Sequence, residues 1–237
     1  MVGRRHADTG RPSWRLTIDE PEGLHLVLFV RDCYRLPAGE AGQPGALTPA
    51  GPDLSGSLAE PARRAAAAAW PAWWQSAAGN HRAASRPLPH GASTAEHLRQ
   101  ASQLAGDGPE FSSLSHAPAL REAARAAFGP FQQWWAPPLI PGPGDPPSRA
   151  GPSGLSGARG HLVDLHLGRD TDHDVIAQIE RDLGREAGPF DFRIDILAVT
   201  QPPVIMQDER QAVISGALVA SETRYRDWLY AAIRPIA

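Results

Sequence analysis

The 237-residue sequence predicts an α+β protein in which helices pack on one face of a single mixed β-sheet. Residues 14–18 and 190–196 alternate apolar and polar side chains, which is the pattern of half-buried strands. The region between them is rich in alanine and tryptophan and carries helix-capping signals. These observations predict a sheet built from both ends of the chain, with a helical region inserted between them.

The N-terminal segment predicts a loose arm followed by a β-hairpin. Residues 1–12 are polar and aperiodic, which is typical of a disordered arm, so a single α+β domain is expected over residues 13–237. After the strand at 14–18, the turn-forming residues 20–23 lead into residues 24–30, which are almost all apolar. Such a run predicts a strand covered on both faces, and therefore a central strand.

The middle of the chain, residues 57–136, predicts a helical insertion. Capping-box spacing occurs twice, in Ser57 with Glu60 and in Ser93 with Glu96. Helices are expected at 58–70, 94–105 and 118–128. Pro71 and the Gly129-Pro130 pair are expected to break or kink the first and last of these helices. Residues 37–56 and 137–160 are rich in glycine and proline and are expected to be linkers.

The C-terminal part of the chain has the clearest patterns and predicts a β-α-β-β-α unit. The expected elements are a strand at 163–167, a helix at 172–187, strands at 190–196 and 213–219, and a closing helix around residues 225–233. We expect the N-terminal hairpin to join these strands in one mixed sheet, because neither group of strands alone is large enough for a stable sheet.

Composition excludes several classes of protein. The formal net charge is −3, which argues against a generally basic nucleic-acid-binding protein, so no nucleic-acid partner is expected. All 23 cationic side chains are arginine. The absence of lysine excludes a P-loop, a protein kinase and a Schiff-base enzyme, which each require a lysine amine. The same bias toward arginine, alanine, glycine and proline is typical of a GC-rich bacterial genome.

Cysteine and hydropathy bear on the compartment. Cys33 is the single cysteine, which is typical of a reducing environment, so we expect a cytoplasmic protein. No apolar run approaches the roughly 20 residues that span a bilayer, and no membrane partner is expected. Cys33 follows the apolar run 24–30, where a nucleophile is one interpretation and a small buried side chain is the other. The sequence contains no cofactor-binding motif, so no cofactor is expected.

Acidic and histidine side chains in the C-terminal part form the first candidate site. Alternation places Asp164 and His166 on one face of a predicted strand. The turn that follows contains Asp170 and Asp172, and these four side chains are candidate metal ligands or acid–base groups. Asp191, Arg193 and Asp195 share the polar face of the next strand. The alternative interpretation is a solvated sheet face with cross-strand ion pairs, with the turn acids capping a helix.

Two tryptophan pairs form the second candidate site. Trp73 with Trp74, and Trp134 with Trp135, follow predicted helices. Adjacent helical residues point about 100° apart, so one member of each pair can be buried while its neighbour is partly exposed. These four residues are candidate partner-binding side chains, and the alternative is that they fill a core that alanine leaves empty.

Together these patterns favour a non-enzymatic accessory or assembly protein that binds a protein partner. The favoured interpretation rests on the missing catalytic motifs, the linkers and the clustered tryptophans. The alternative is a metal-dependent hydrolase or transferase that uses the Asp/His cluster of the C-terminal sheet. Convergence of Asp164 and His166 in a cleft distinguishes the two.

Overall fold

The computed structural model describes residues 2–5, 12–37, 43–85, 93, 96, 108–135, 157–158, 162, 171–200 and 205–237. The strands are β1 (Val2–Arg5), β2 (Pro12–Asp19), β3 (Phe190–Leu197), β4 (Ile205–Asp208) and β5 (Gln211–Ser215). The helices are α1 (Glu22–Cys33), α2 (Glu60–Ala84), α3 (Pro118–Trp135), α4 (Thr171–Leu183), α5 (Gly216–Ala220) and α6 (Glu222–Ile233). The predicted mixture of helices with a sheet is confirmed.

The strands form one five-stranded sheet in the order β1-β2-β3-β5-β4. Its centre is parallel, with Trp14 opposite Phe190 and Arg193 opposite Gln211, and both edge strands run antiparallel to their neighbours. The sheet therefore combines an N-terminal strand with C-terminal strands, as the two alternating segments predicted. Residues 1–12 were expected to form a disordered arm. Instead, the edge strand β1 lies within them, and its backbone pairs with β2.

The predicted N-terminal hairpin is wrong, because residues 24–30 belong to helix α1. An apolar run of seven residues does not distinguish a buried strand from a buried helix. Here every residue from 24 to 31 is buried, so no polar face remains to show the helical period. The parallel pairing of β2 with β3 also requires a long crossover, which a tight hairpin cannot supply.

Helices cover both faces of the sheet, whereas one face was predicted. On one face, Trp14 contacts His173 of α4 and Phe192 contacts Trp228 of α6, with ring centroids 5.6 and 6.5 Å apart. On the opposite face Asp195 meets His81 of α2, and α1 packs with α2 and α3. The described elements thus form three layers.

Two prolines that were expected to break or kink their helices lie inside them and do not end them. α2 continues through Pro71 and α3 continues through Pro130. An internal proline removes one backbone hydrogen bond, at a cost of about 3 kcal/mol. The aromatic residues that follow are buried, among them Trp74 and Trp135, and their burial offsets that cost. Trp70 adds a hydrogen bond from its Nε1 to the backbone oxygen of Val27, at 2.9 Å.

Of the two predicted capping boxes, one forms and the other does not. Ser93 and Glu96 form the reciprocal capping box, in which the Ser93 backbone N–H donates to Glu96 Oε2 at 2.7 Å and the Glu96 N–H donates to Ser93 Oγ at 3.3 Å. The rest of the helix expected at 94–105 lies outside the described residues. Ser57 does not cap α2, whose N-cap is Ala59, because the Ser57 hydroxyl donates to Leu54 instead.

The described C-terminal elements follow the predictions closely, with two exceptions. α4, β3 and α6 occur where the periodicity placed them, and β4 was not predicted. The strand expected at 213–219 ends at Ser215, whose hydroxyl accepts the backbone N–H of Leu218 and begins α5. The strand expected at 163–167 lies outside the described residues.

One continuous hydrophobic cluster joins the sheet to both helical layers. Its largest fully buried side chains include Trp14, Trp70, Tyr34, Tyr225 and Phe131, and these come from every layer. In the part of the chain that the structure covers, no helix combines the length and apolarity needed to cross a bilayer.

Two glycines test the packing between α1 and the loop that precedes α2. A Cβ at Gly51 would lie 2.7 Å from Phe29 Cε2 and 2.8 Å from Cys33 Sγ, both buried, whereas a Cβ at Gly79 would meet nothing within 4 Å. We expect Gly51→Ala to lower the free energy of unfolding by about 1–3 kcal/mol through overpacking. Gly79→Ala, the control within α2, is expected to raise it by about 0.5–1 kcal/mol. Urea denaturation measures both, and a neutral Gly51→Ala would contradict the packing.

Candidate functional site

The predicted acidic candidates are only partly described. Asp164, His166 and Asp170 lie outside the described residues. Asp172 lies in the first turn of α4, where it is 2% exposed and accepts a hydrogen bond from the Tyr225 hydroxyl at 3.0 Å. This bond ties α4 to α6. Among the described residues, no group of three or more His, Cys, Asp or Glu side chains could hold a metal ion.

The four tryptophans proposed as partner contacts lie mainly in the interior. Trp73 and Trp74 are each 8% exposed and Trp135 is 3% exposed. Trp134 is partly exposed, and its Nε1 donates to the backbone oxygen of Pro49 at 2.9 Å. Trp134 is therefore the member of this group that presents ring surface to solvent.

The polar face of β3 is not the open surface that alternation suggested. Its exposure falls along the strand, from the half-exposed pair of Asp191 with Arg15, through Arg193, to the fully buried Asp195. At the carboxyl end of this face, the buried side chain of His81 from α2 lies against Asp195. Sequence alternation identified the side chains that share the face, and the helix that covers them lies more than a hundred residues away in the chain.

Asp195 is the centre of a buried polar cluster. Its Oδ2 accepts from Nε2 of His81 at 3.0 Å and from Nε2 of Gln211 at 2.8 Å, while Oδ1 accepts from Nε of Arg193 at 2.9 Å. Arg193 also donates to Oδ2 of Asp19 at 2.6 Å. Burial by itself would raise the pKa of Asp195, but the donors and charges of His81, Arg193 and Gln211 hold that pKa below its ordinary value.

The serine and histidine beside Asp195 do not form a nucleophilic relay. Ser85 Oγ lies 3.3 Å from His81, and it approaches the same ring nitrogen, Nε2, that meets Asp195. A Ser-His-Asp relay requires the two partners on different ring nitrogens, so that the base accepts with one and is oriented through the other. The cluster therefore joins α2 to the sheet and does not activate Ser85.

His25 is a second buried histidine, and it is fully bonded. Its Nδ1 lies 2.9 Å from the Pro21 oxygen, and its Nε2 lies 2.9 Å from the backbone nitrogen of Ala198. Because Ala198 must donate, Nε2 accepts and the ring proton sits on Nδ1. Burial lowers the pKa of His25 to about 4; the Pro21 bond opposes this shift and the nearby His81 adds to it. His25 is thus a neutral tie between the start of α1 and the end of β3.

Arg31 and Asp32 fix the loop that follows α1. Arg31 is buried and donates to the backbone oxygens of Pro44 and Gly45 at 2.5 and 2.6 Å, with its guanidinium 5.4 Å from the Trp70 ring centre. Asp32 accepts the backbone N–H of Leu47 at 2.7 Å. Much of the segment predicted as a linker at 37–56 is therefore held against the helical layer.

A cleft of about 210 Å³ lies where β3 and β5 end. One wall is the 46–48 loop, joined to residues 198–200 by the Leu47–Val199 bridge, and the other is the start of α5. Its described lining is apolar or hydroxyl-bearing and contains no ionisable side chain: Thr48, Leu162, Ala198, Val199, Thr200, Gly216, Ala217 and Ala220. Open α/β sheets place their ligands outside the carboxyl ends of the parallel strands, which makes this cleft the candidate binding site.

The single cysteine is not a nucleophile. Cys33 is buried beneath Gly51, and burial, followed by the charges of Asp32 and Asp53, raises its pKa to about 12. A thiol in that state stays protonated at neutral pH. The interpretation of Cys33 as a small buried side chain therefore holds.

Sequence reasoning missed His25 and His81. His25 lies inside an apolar run, where a polar residue that must find a partner was the available signal. His81 lies in an alanine-rich helix without a local motif, and its partner is 114 positions away. No signal in the sequence connects the two.

Comparison with known proteins adds no assignment to this geometry. No family model, curated protein or solved structure matches the chain. Function is therefore inferred from the residues themselves.

The pKa of His25 predicts an acid-side loss of stability. Between pH 6.5 and about 4 the unfolded chain binds a proton at residue 25 and the folded chain does not, so stability falls as pH falls. The expected loss is about 3 kcal/mol, at about 1.4 kcal/mol per pKa unit. Urea denaturation from pH 7 to pH 4 checks it. His25→Gln is expected to lose this component of the pH dependence, and the exposed His116→Gln is the control that keeps it.

Burial predicts contrasting costs for two aspartates on the same face of β3. Asp195→Ala leaves Arg193 and His81 without their buried carboxylate and is expected to cost about 3–5 kcal/mol. Asp191→Ala removes a half-exposed ion pair and is expected to cost less than about 1 kcal/mol. Chemical denaturation at pH 7 compares them, and equal costs would show that α2 does not cover Asp195 in solution.

Proposed function

We propose that this chain is a non-enzymatic accessory or assembly protein that binds a protein partner in the cytoplasm, without a cofactor. The observation that carries the proposal is the carboxyl-end cleft, whose described lining has no acid, base or thiol. General acid–base and nucleophilic catalysis need such a group within hydrogen-bond reach of the substrate. A cleft whose described lining offers none is suited to binding.

The interior supports the same conclusion. His25, Cys33 and the His81–Asp195 pair are the described side chains most suited to catalysis, and each is buried and used to hold the fold. The buried, unpaired cysteine also agrees with a reducing compartment.

The size of the cleft favours one anchoring side chain of a partner. Pockets for drug-sized ligands usually occupy about 300–1,000 Å³, and this cleft is smaller. Protein interfaces concentrate their binding energy in a few large side chains that fill such pockets. Val199 and Leu162 form an apolar floor, and Thr48 and Thr200 supply hydroxyl groups at the exposed rim. An aromatic or branched apolar side chain fits this lining.

An arginine at the rim of the cleft tests the proposal. Ala217 is exposed and lines the cleft. Ala68 is exposed on α2 and is not among the residues that line the cleft. Tagged wild type, Ala217→Arg and the control Ala68→Arg are used for quantitative affinity capture, and the recovered partner is purified for a binding measurement. We expect Ala217→Arg to weaken binding by about tenfold or more, which corresponds to 1.4 kcal/mol, and Ala68→Arg to bind as wild type.

The outcome that would contradict the proposal is the binding of a metal ion by the candidate acidic and histidine side chains. Thermal melting with and without Mn²⁺ or Zn²⁺ reports on a site that includes Asp164 and His166. A metal-induced rise in Tm that Asp164→Ala with His166→Ala abolishes would favour the alternative, a metal-dependent hydrolase or transferase. Equal partner binding by wild type and Ala217→Arg would remove the cleft from the proposal.

A further inference from the structure

His25 connects the buried helix α1 to one wall of the carboxyl-end cleft. Its Nε2 accepts the backbone N–H of Ala198 at 2.9 Å, and Ala198 lines the cleft. Its Nδ1 donates to the Pro21 oxygen at 2.9 Å, which fixes the ring at the start of the helix. His25 is fully buried and is not among the described lining residues, so it acts on the cleft through the position of Ala198.

The wall that contains Ala198 is a short unit made of two chain segments. Two backbone hydrogen bonds, of 2.8 and 3.0 Å, join the 46–48 loop to residues 198–200. Two side chains of α1 bond directly to this unit. Asp32 accepts a backbone N–H of the loop at 2.7 Å, and His25 accepts one from residues 198–200. The His25 bond thus attaches the strand side of the wall to the helix.

This attachment requires a neutral imidazole. A neutral ring donates with one nitrogen and accepts with the other, whereas a protonated ring donates with both. Because Nδ1 of His25 already donates to Pro21, a second proton goes to Nε2, where it faces the N–H of Ala198. A donor then meets a donor, and the hydrogen bond to the wall is lost.

The fold keeps His25 neutral at neutral pH. Burial lowers the pKa of His25 to about 4, the nearby His81 of α2 adds to this shift, and the Pro21 bond opposes it. The side chains that face His25 from α3 are the uncharged rings of Trp134 and Trp135, with centroids 6.4 and 4.4 Å away.

The remaining surroundings of His25 add little charge. Residues 198–200 carry no ionisable side chain. On α1 itself, Glu22 lies one turn earlier and is exposed to solvent. Burial is therefore the main cause that keeps the acceptor nitrogen free for Ala198.

We propose that His25 is a positioning residue for the cleft, whose neutral ring holds Ala198 where the wall can receive the anchoring side chain of a partner. The inference rests on the function proposed above, because it concerns the same cleft. Protonation of His25 releases residues 198–200 from α1, so protonation and binding oppose each other. By linkage, a ligand in the cleft disfavours protonation of His25 by the same factor.

The test uses indole, the aromatic ring of a tryptophan side chain, as a probe of the cleft. Amide NMR shifts of Val199, Thr200 and Ala217 are followed as indole is added to the full chain at pH 7, 5 and 4, and circular dichroism monitors the fold. We expect the affinity to be about the same at pH 7 and pH 5 and about twofold weaker at pH 4, where the His25 ring is half protonated.

Variants at pH 7 separate the acceptor nitrogen from the bulk of the ring. His25→Gln keeps an acceptor without a titrating group, and it is expected to bind indole within about twofold of wild type and to lose the pH dependence. His25→Leu fills similar space without an acceptor, and it is expected to bind about fivefold more weakly, or about 1 kcal/mol. The exposed His116→Gln is the matched control and is expected to behave as wild type.

The Ala198 amide of the wild-type protein gives a reading that needs no variant. Its proton shift must follow the titration of the His25 ring with the same midpoint. An Ala198 amide that ignores the ring, or His25→Leu that binds indole as wild type does, would overturn the positioning role and leave the cleft in place. Indole shifts that Ala217→Arg does not reduce would instead remove the cleft, and this inference with it.

Discussion

Enclosure of α1 is the constraint on which the rest of the structure depends. Eight consecutive residues, 24–31, are buried, so this helix has no solvent-facing side for more than two turns. A helix of that kind must be covered all round, and here α2 and α3 pack against it while its His25 bonds to Ala198, just beyond β3. Burial of α1 on every side thus requires two features together. One is the crossover between the parallel strands β2 and β3, and the other is the pair of alanine- and tryptophan-rich helices.

An enclosed helix must also satisfy every polar group that it carries. His25 bonds to Pro21 and Ala198, Arg31 bonds to two backbone oxygens of the following loop, and the Val27 oxygen accepts from Trp70. Each tie fixes a different neighbour: the end of β3, the loop at residues 43–48, and α2. One wall of the carboxyl-end cleft, the 46–48 loop joined to residues 198–200, is made of two of these neighbours, so the buried helix positions that wall.

The use of buried polar groups to hold the fold also bears on function. Ionisable side chains in the described interior are engaged in holding layers together, and the described lining of the cleft has none. Burial that stabilises the fold leaves these groups unsuited to proton transfer, since His25 is held neutral and the Cys33 thiol is held protonated. His81 is engaged in the same way, because its Nε2 meets the buried carboxylate of Asp195 and joins α2 to the sheet.

The sequence by itself determined the elements whose two faces differ in polarity. β2, β3, α4 and α6 follow from alternation or helical periodicity, because a face that carries polar side chains leaves a period in the chain. Tertiary structure decided the rest. Residues 24–30 lost that period by being buried on every side, and α2 and α3 passed their prolines because the tryptophans beyond them pack in the core. The pairing of His81 with Asp195 was likewise invisible in the chain, because it joins residues 114 positions apart that only the packing of α2 on the sheet brings to 3.0 Å.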